Sequence, residues 1–342
     1  MTKPGDEVIT FAPYFPEYQP YVNGTGAHLT VVPADTESFQ INFEAFEQVL
    51  NPGTAAVLIN TPNNPSGAVY SAETLTRLAE ILRAKQAEYG HDIFLISDEP
   101  YREIVFDGGV QPYPSKFYDN TLSCYSYSKS LSLPGERIGY VAVNPRATDA
   151  ELIVPMCGQV SRETGHNCPG SSVQLAVAKV VDETSDLSVY EKNMNLLYDA
   201  LVRLGFDVVR PGGTFYIFPK ALEDDANAFC MKAKDYDLIL VPSDSFGVPG
   251  YFRMAYCIDT EKVERSIAAF EKSCTKSTAA EPVCARWRNS DANKPKGCVS
   301  ALYMAETHPC PELSRLYMAG RLAKTAKNVP PKCCFAEDVC HI

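Results

Sequence analysis

The sequence lacks the features that would place it in a membrane, outside the cell or on nucleic acid. Its 342 residues contain no run of about 18 or more apolar residues, so no membrane-spanning helix is expected. The first six residues contain no apolar core of the kind that a secretion signal needs. A net charge of −11 disfavours nucleic acid and anionic membrane surfaces as partners. A cytosolic location is therefore the default expectation.

The cysteines show no paired pattern. Five of the 12 cysteines are scattered singly through residues 1–273, which is typical of small buried thiols in a reducing compartment. The other seven crowd into residues 274–342, where Cys333, Cys334, Cys340 and His341 stand close together. No Cys-x-x-Cys pair occurs there, so no metal site is predicted.

The first half of the chain alternates strand and helix patterns. Continuous apolar runs at 55–60, 92–97 and 138–143 predict buried strands of a parallel sheet. Residues 71–88 predict an amphipathic helix with Ser71 as its N-cap, and residues 171–181 predict another helix. This alternation favours an α/β fold, with a mostly parallel, doubly wound sheet in a large domain.

The second half predicts a smaller α+β layer. Helix patterns and short strand patterns alternate there; the helices are predicted at 190–204, 225–234 and 261–272, and the strands at 206–209, 214–218, 238–241 and 252–257. After residue 272 the patterning ends, and the tail is basic where the body is acidic. We therefore expect a large domain over 1–187, a small α+β domain over 188–273, and a Cys-rich basic tail over 274–342 that is poorly ordered.

Four motifs occur in one order along the chain, each at the C-terminal end of a predicted strand or just after one. They are Asn-Asn-Pro-Ser-Gly at 63–67, Asp-Glu-Pro-Tyr at 98–101, Ser-Tyr-Ser-Lys at 126–129 with Arg137, and Tyr-Phe-Arg-Met-Ala at 251–255. In open α/β sheets, ligands bind at the carboxyl ends of the strands. The motifs therefore predict one site at that edge.

The residue types in these motifs match what a pyridine aldehyde cofactor requires. Lys129 offers an amine for a Schiff base, and Asp98 offers a carboxylate that keeps the ring nitrogen protonated. Asn64 and Tyr101 can donate hydrogen bonds to the ring hydroxyl. Ser126 and Arg137 are predicted to bind the phosphate, and Arg253 is predicted to bind the substrate carboxylate.

Taken together, the sequence resembles the fold-type I, class I/II pyridoxal-5'-phosphate-dependent aminotransferases. The resemblance covers about residues 3–272 and includes Gly-Asp-Glu-Val at 5–8, Pro-Tyr at 13–14 and Gly-Gly-Thr-Phe-Tyr at 212–216. It implies an aspartate-aminotransferase-like fold, a homodimer, and transamination between an amino acid and a 2-oxo acid. By this resemblance Tyr14 stacks on the cofactor ring, Lys129 carries the cofactor, and Arg253, with Asn64, binds the substrate.

Two departures from the family accompany the match. Family members carry a longer N-terminal stretch, including a turn and helix start that hold the cofactor phosphate, and this sequence begins after it. Residues 274–342 resemble nothing in the family. We therefore expect a truncated gene product with a foreign or out-of-frame end.

Plainer interpretations stand beside these. Asp98 and Asn64 are also typical turn residues, Arg137 and Arg253 could form ordinary ion or cross-strand pairs, and Tyr14 could simply pack. Rival functions are a β-lyase or decarboxylase on the same scaffold, and a catalytically inert truncated homologue. The absence of a helix-turn-helix pattern argues against an aminotransferase-like regulator.

Overall fold

A computed structural model describes residues 1–275, and its larger sheet has six strands in the order β2-β1-β3-β4-β5-β6. All neighbouring pairs are parallel except the last, in which β6 runs antiparallel to β5. The strands are β1 (Glu7–Phe11), β2 (His28–Val32), β3 (Thr54–Asn60), β4 (Phe94–Asp98), β5 (Thr121–Ser126) and β6 (Gly139–Val143). The predicted α/β class with a mostly parallel sheet is confirmed.

Helices cover both faces of this sheet. On one face Val57 and Ile59 of β3 pack with the apolar sides of two helices, and on the other Ala56 and Leu58 pack with residues from two more. The first pair is α2 (Phe43–Val49) and α3 (Ala72–Tyr89), and the second is α1 (Tyr18–Gly24) and α5 (Ala150–Glu163). Burial on both faces explains why β3 is a continuous apolar run.

The predicted helix over 71–88 is confirmed as α3. The Ser71 side chain accepts a hydrogen bond from the Thr74 amide at 3.1 Å, as expected of an N-cap. Gly90 ends the helix in the left-handed conformation at φ 74°.

The smaller layer is built on three antiparallel strands in the order β7-β9-β8. These are β7 (Tyr216–Ile217), β8 (Val241–Pro242) and β9 (Phe252–Ala255). The remaining helices are α4 (Tyr127–Ser130), α6 (Ser171–Val177), α7 (Ser188–Arg203), α8 (Ala226–Ala233) and α9 (Thr260–Thr275). Three of them, α7, α8 and α9, pack around one apolar cluster with β7 and β9.

Several predicted strands differ in the structure. Residues 138–143 form β6, but β6 is antiparallel because the chain returns from β5 through a dozen residues without a crossover over the sheet. Residues 206–209 form no strand; Phe206 is buried among aromatic rings instead. The strand predicted at 238–241 is reduced to β8, and the helix predicted at 171–181 ends at Val177.

The predicted boundary at residue 187 stays a prediction. The apolar cluster of the smaller layer also includes Tyr101, Ile104 and Phe106, which precede that boundary by some 80 residues along the chain. The first two residues of the predicted tail, Cys274 and Thr275, end α9, and the rest of that prediction, including the other cysteines and His341, lies outside the described residues.

Candidate active site

The carboxyl ends of β3, β4 and β5 bring three of the four motifs together. Asn60 and Asp98 are paired across β3 and β4, and Asp98 is paired with Cys124 across β4 and β5. The Asn60 side chain donates to the Asp98 carbonyl and accepts from the Asn64 amide, at 2.9 and 2.7 Å. The sheet edge therefore places the Asn64 turn beside Asp98, as the sequence predicted.

Lys129 lies on α4, a four-residue helix that starts where β5 ends. Ser126 caps this helix, because its hydroxyl accepts a hydrogen bond from the Ser128 amide at 3.2 Å. The Lys129 ammonium is half-buried and lies 5.5 Å from the centre of the Phe215 ring and 6.0 Å from that of Tyr101. An amine held near aromatic faces and partly shielded from water is suited to covalent chemistry with a carbonyl compound.

Asp98 is a half-buried carboxylate with an identified donor. Its Oδ2 accepts a hydrogen bond from the hydroxyl of buried Tyr18 at 2.6 Å. Burial raises the pKa of Asp98 from 3.8 to about 6, and the neighbouring charge of Glu99 adds to this rise. The Tyr18 hydrogen bond and the Lys129 charge lower the pKa. The ionised form of a carboxylate that is shielded from water in this way is stabilised by an additional positive charge next to it.

Ser126 and Arg137 lie on either side of α4. The Ser126 hydroxyl donates to the Ser128 hydroxyl at 2.8 Å, and both side chains are buried. Arg137 has φ 49° and donates from Nη1 to the Pro134 carbonyl at 2.9 Å. The Tyr127 amide donates to the Ile138 carbonyl, so the residue after Arg137 is joined to the start of the helix that carries Lys129.

Arg253 reaches the site from the smaller sheet. Its Nη1 donates to the Asn64 side-chain oxygen at 3.0 Å, and its guanidinium lies 4.3 Å from the Tyr216 ring centre and 5.1 Å from that of Phe246. Arg253 is the second residue of β9, so it does not lie at the edge where the other motifs meet. Contact between the two sheets brings it there instead.

The two tyrosines predicted in the site have aromatic and backbone neighbours. Tyr101 is buried and meets the rings of Phe215 and Tyr216 edge-on. Tyr14 donates its amide to the Phe246 carbonyl, and its ring lies where a side chain at Gly247 would be. Stacking of Tyr14 on a cofactor ring stays a prediction.

Sequence reasoning missed Tyr18, Phe215 and Tyr216 as site residues. Phe215 and Tyr216 belong to the Gly-Gly-Thr-Phe-Tyr motif, which was noted but given no role. Tyr18 carries no local signal beyond its place four residues after Tyr14. Its contact with Asp98 spans 80 positions and depends on how α1 packs on the sheet.

Residues 1–275 contain neither a candidate metal site nor a candidate membrane-spanning helix. Across this span no group of three or more His, Cys, Asp and Glu side chains is arranged to hold a metal ion. Nor is any helix of the described part long and apolar enough to cross a bilayer.

Comparison with known proteins shows which family the chain belongs to. The model of the family "Aminotransferase class I and II" matches residues 1–270. The chain belongs to this family and is a pyridoxal-phosphate-dependent transaminase, an enzyme that exchanges an amino group between amino acids and 2-oxo acids. The predicted family, function and cofactor are thereby confirmed.

Individual relatives extend over most of the described residues. A probable N-acetyl-LL-diaminopimelate aminotransferase of Bacillus subtilis is 30% identical, over 79% of this chain and 68% of that protein. An aspartate aminotransferase of Geobacillus stearothermophilus is 31% identical, over 77% and 68%.

Solved structures show the same fold. An amino transferase of Eubacterium rectale is 53% identical, with a TM-score of 0.76 over 80% of this chain and 68% of that one. The aspartate aminotransferase of Thermus thermophilus with maleate is 27% identical, with a TM-score of 0.67 over 79% and 70%.

The residues present fit pyridoxal phosphate on their own chemistry. The carboxylate of Asp98, whose pKa is raised by burial, would be stabilised further by the positive charge of a protonated ring nitrogen. Asn64 and Tyr101 are buried polar side chains next to the Lys129 and Asp98 elements. This set of an amine, an acid and neutral donors is the one that a pyridine aldehyde requires.

Proposed function

We propose that transamination in this protein is carried by Lys129 and Asp98, with Arg253 and Asn64 binding the substrate carboxylate. The observation that carries the proposal is the convergence of Asp98, the Asn64 turn and α4 at one sheet edge, with Arg253 hydrogen-bonded to Asn64. The proposed cofactor contacts are completed by Tyr14, Tyr101, Ser126 and Arg137, together with Asn64.

Each residue has a distinct task in this proposal. Bound pyridoxal phosphate supplies an aldehyde that combines with amino groups and a ring that accepts electrons. The Lys129 amine takes the proton from the substrate α-carbon and later releases it, as a general base and acid. Asp98 keeps its negative charge toward the ring nitrogen, and Arg253 orients the α-carboxylate through paired hydrogen bonds.

Replacing Lys129 tests this assignment directly. Lys129→Ala should lower turnover by at least about 10³-fold, because it removes both the attachment point and the proton-transfer group. Borohydride reduction of the cofactor-treated wild type, followed by peptide mass spectrometry, should add the cofactor mass to the peptide with Lys129. A cofactor mass on another lysine, or on none, would overturn the proposal. Lys116→Ala, which removes a lysine that contacts the Tyr113 ring, is the matched control.

The comparisons name aminotransferases and favour neither a β-lyase nor a decarboxylase. A product assay separates these reactions. A 2-oxo acid formed together with a newly aminated acceptor supports transamination, whereas ammonia or carbon dioxide would indicate the rivals.

We further propose that the protein is a homodimer in which α5 contributes to the contact. Leu152, Met156 and Val160 recur every four residues, so they form one stripe, and each is at least 50% exposed. Exposed apolar stripes of this kind mark contact surfaces. Light scattering should give twice the chain mass for the wild type and less for Leu152→Asp with Met156→Asp. Val202→Asp, at an exposed apolar position of α7, is the control.

We also propose a cytosolic location. The five cysteines whose side chains the structure describes, Cys124, Cys157, Cys168, Cys230 and Cys257, are free thiols, which suits a reducing compartment. Cell fractionation followed by detection of the protein would test it, and recovery with a secreted or membrane fraction would contradict it.

A further inference from the structure

The short helix that carries Lys129 is held at both ends. Ser126 caps its start, and Ser130 is fixed at its end. The Ser130 side chain is 1% exposed, and its hydroxyl oxygen lies 2.7 Å from that of Tyr125. The Ser130 carbonyl accepts from both the amide and the hydroxyl of Ser185, at 2.8 and 3.2 Å. A helix of four residues is not stable alone, so these contacts determine its orientation.

The hydrogen bonds at Ser130 have a defined direction. The Tyr125 hydroxyl is also 2.8 Å from a carboxylate oxygen of Glu103, which can only accept while it is ionised. Burial raises the pKa of Tyr125 far above its ordinary value, so its hydroxyl keeps its proton. Tyr125 therefore donates to Glu103, and Ser130 donates to Tyr125.

Tyr125 itself is held by its neighbours. Its ring stacks on Tyr140 with centres 5.1 Å apart, and the Arg102 guanidinium lies 4.7 Å from the ring centre. Arg102 in turn forms an ion pair with the fully buried Glu99 at 2.7 Å. Gly139 permits this packing, because a side chain there would lie 2.2 Å from the Tyr125 carbonyl oxygen.

We propose that Ser130 is a positioning residue for Lys129, acting through the hydrogen-bond chain from Ser130 through Tyr125 to Glu103. This hydrogen-bond chain fixes the orientation of the α4 backbone, and that orientation determines the direction of the Lys129 side chain. This inference rests on the proposed role of Lys129. It predicts a loss in the proton-transfer step, since small displacements of a reacting group slow chemistry more than they weaken binding.

Three variants test the chain, namely Ser130→Ala, Tyr125→Phe and the double variant. Each single variant should lower kcat about tenfold, leave KM within about twofold, and shift the apparent pKa of the visible band of the lysine-bound cofactor. The double variant should be no worse than the worse single variant, because both changes break one chain. Ser130→Thr should restore most of the activity.

Tyr140→Phe is the matched control, because it also removes a hydroxyl from the same aromatic cluster. The Tyr140 hydroxyl accepts a hydrogen bond from Arg102 and not from Ser130. It should leave kcat and the visible band close to those of the wild type. Amide hydrogen exchange over residues 126–132 should speed up in Ser130→Ala and Tyr125→Phe but not in Tyr140→Phe.

Two results would overturn the inference. In one, Ser130→Ala lowers the melting temperature while kcat, the band and the exchange rates stay unchanged. In the other, the two single losses add fully in the double variant. If borohydride trapping shows no cofactor on Lys129 of the wild type, the proposed function fails. The exchange comparison still decides whether Ser130 positions the α4 segment.

Discussion

The cofactor half and the substrate half of the candidate site are built in different ways. Lys129 and Asp98 lie at or just beyond the ends of neighbouring strands of one sheet, so the hydrogen bonds of that sheet fix their spacing. Arg253 lies within a strand of the smaller sheet and meets Asn64 across 189 positions of the chain. The first half is a product of sheet topology, and the second depends on how two layers pack.

Backbone hydrogen bonds beside the Asn64 turn are among the contacts that join the two layers. The Gly67 carbonyl accepts from the amides of Gly212 and Gly213, both at 3.0 Å, beside the Asn64 turn. A change there should disturb substrate binding while leaving the cofactor half intact. Variants that affect one half but not the other therefore test the comparison.

Among the variants that separate the two halves, the largest effect is expected from Asp98→Asn. Loss of the charge that we propose faces the ring nitrogen should lower kcat by about 10²- to 10³-fold, the usual cost of losing one preorganised electrostatic contact. The visible band should remain, because Lys129 is unchanged. Steady-state kinetics and absorption spectra check this. Asp92→Asn, near the opposite end of β4, removes a carboxylate that accepts hydrogen bonds from Asn120 and Thr148, and should change neither measurement.

Arg253→Lys should affect the substrate half alone. A lysine cannot bind Asn64 and pair with a carboxylate through a planar fork at the same time. Losing one hydrogen bond to a charged group weakens binding by about 10- to 100-fold, so KM for the amino acid should rise by that factor. Arg210→Lys is the control. Arg210 also lies over a tyrosine ring, that of Tyr198, and faces the carboxylate of Asp107, but it is more exposed than Arg253. An unchanged KM in Arg253→Lys would remove Arg253 from the site.

Gly67→Ala tests the joint between the halves. Gly67 has φ 74°, and an added Cβ would lie 2.6 Å from Cβ of Pro211. The turn should shift, raising KM about tenfold while the visible band persists. Gly90→Ala has the same φ but open space around the added carbon, so it should cost stability without raising KM. Equal KM values in the two variants would contradict a specific joint.

The smallest effect is expected from Tyr18→Phe. Tyr18 lowers the pKa of Asp98, so its loss should raise that pKa above about 6. Asp98 is ionised above its pKa, and its negative charge is lost as the pH falls through that value. Cofactor affinity should therefore decline below about pH 6 in the wild type, and at a higher pH in Tyr18→Phe. Absorbance titrations from pH 5 to 8 would show the shift; coincident curves would exclude a role for Tyr18. Tyr89→Phe is a control remote from Asp98.

Much of the fold was predictable because its signals are local. The apolar run of β3 and the N-cap of α3 depend on residues close in sequence, and both predictions are confirmed. The apolar patterns at 206–209 and 238–241 predicted strands that the structure does not form over those ranges. Phe206 and Leu238 are buried by aromatic and helical neighbours rather than by strand pairing. Burial and strand pairing leave the same apolar pattern in a sequence.

By itself the sequence determined which chemical groups this transaminase carries and that most of them follow strand ends, since strand periodicity and motif order are written in adjacent residues. Tertiary structure alone decided the contacts of Tyr18 with Asp98, of Arg253 with Asn64 and of Ser130 with Tyr125. These are hydrogen bonds whose formation depends on packing angles between helices, loops and sheets. Such angles come from the sum of many side-chain contacts, and no short stretch of sequence encodes them.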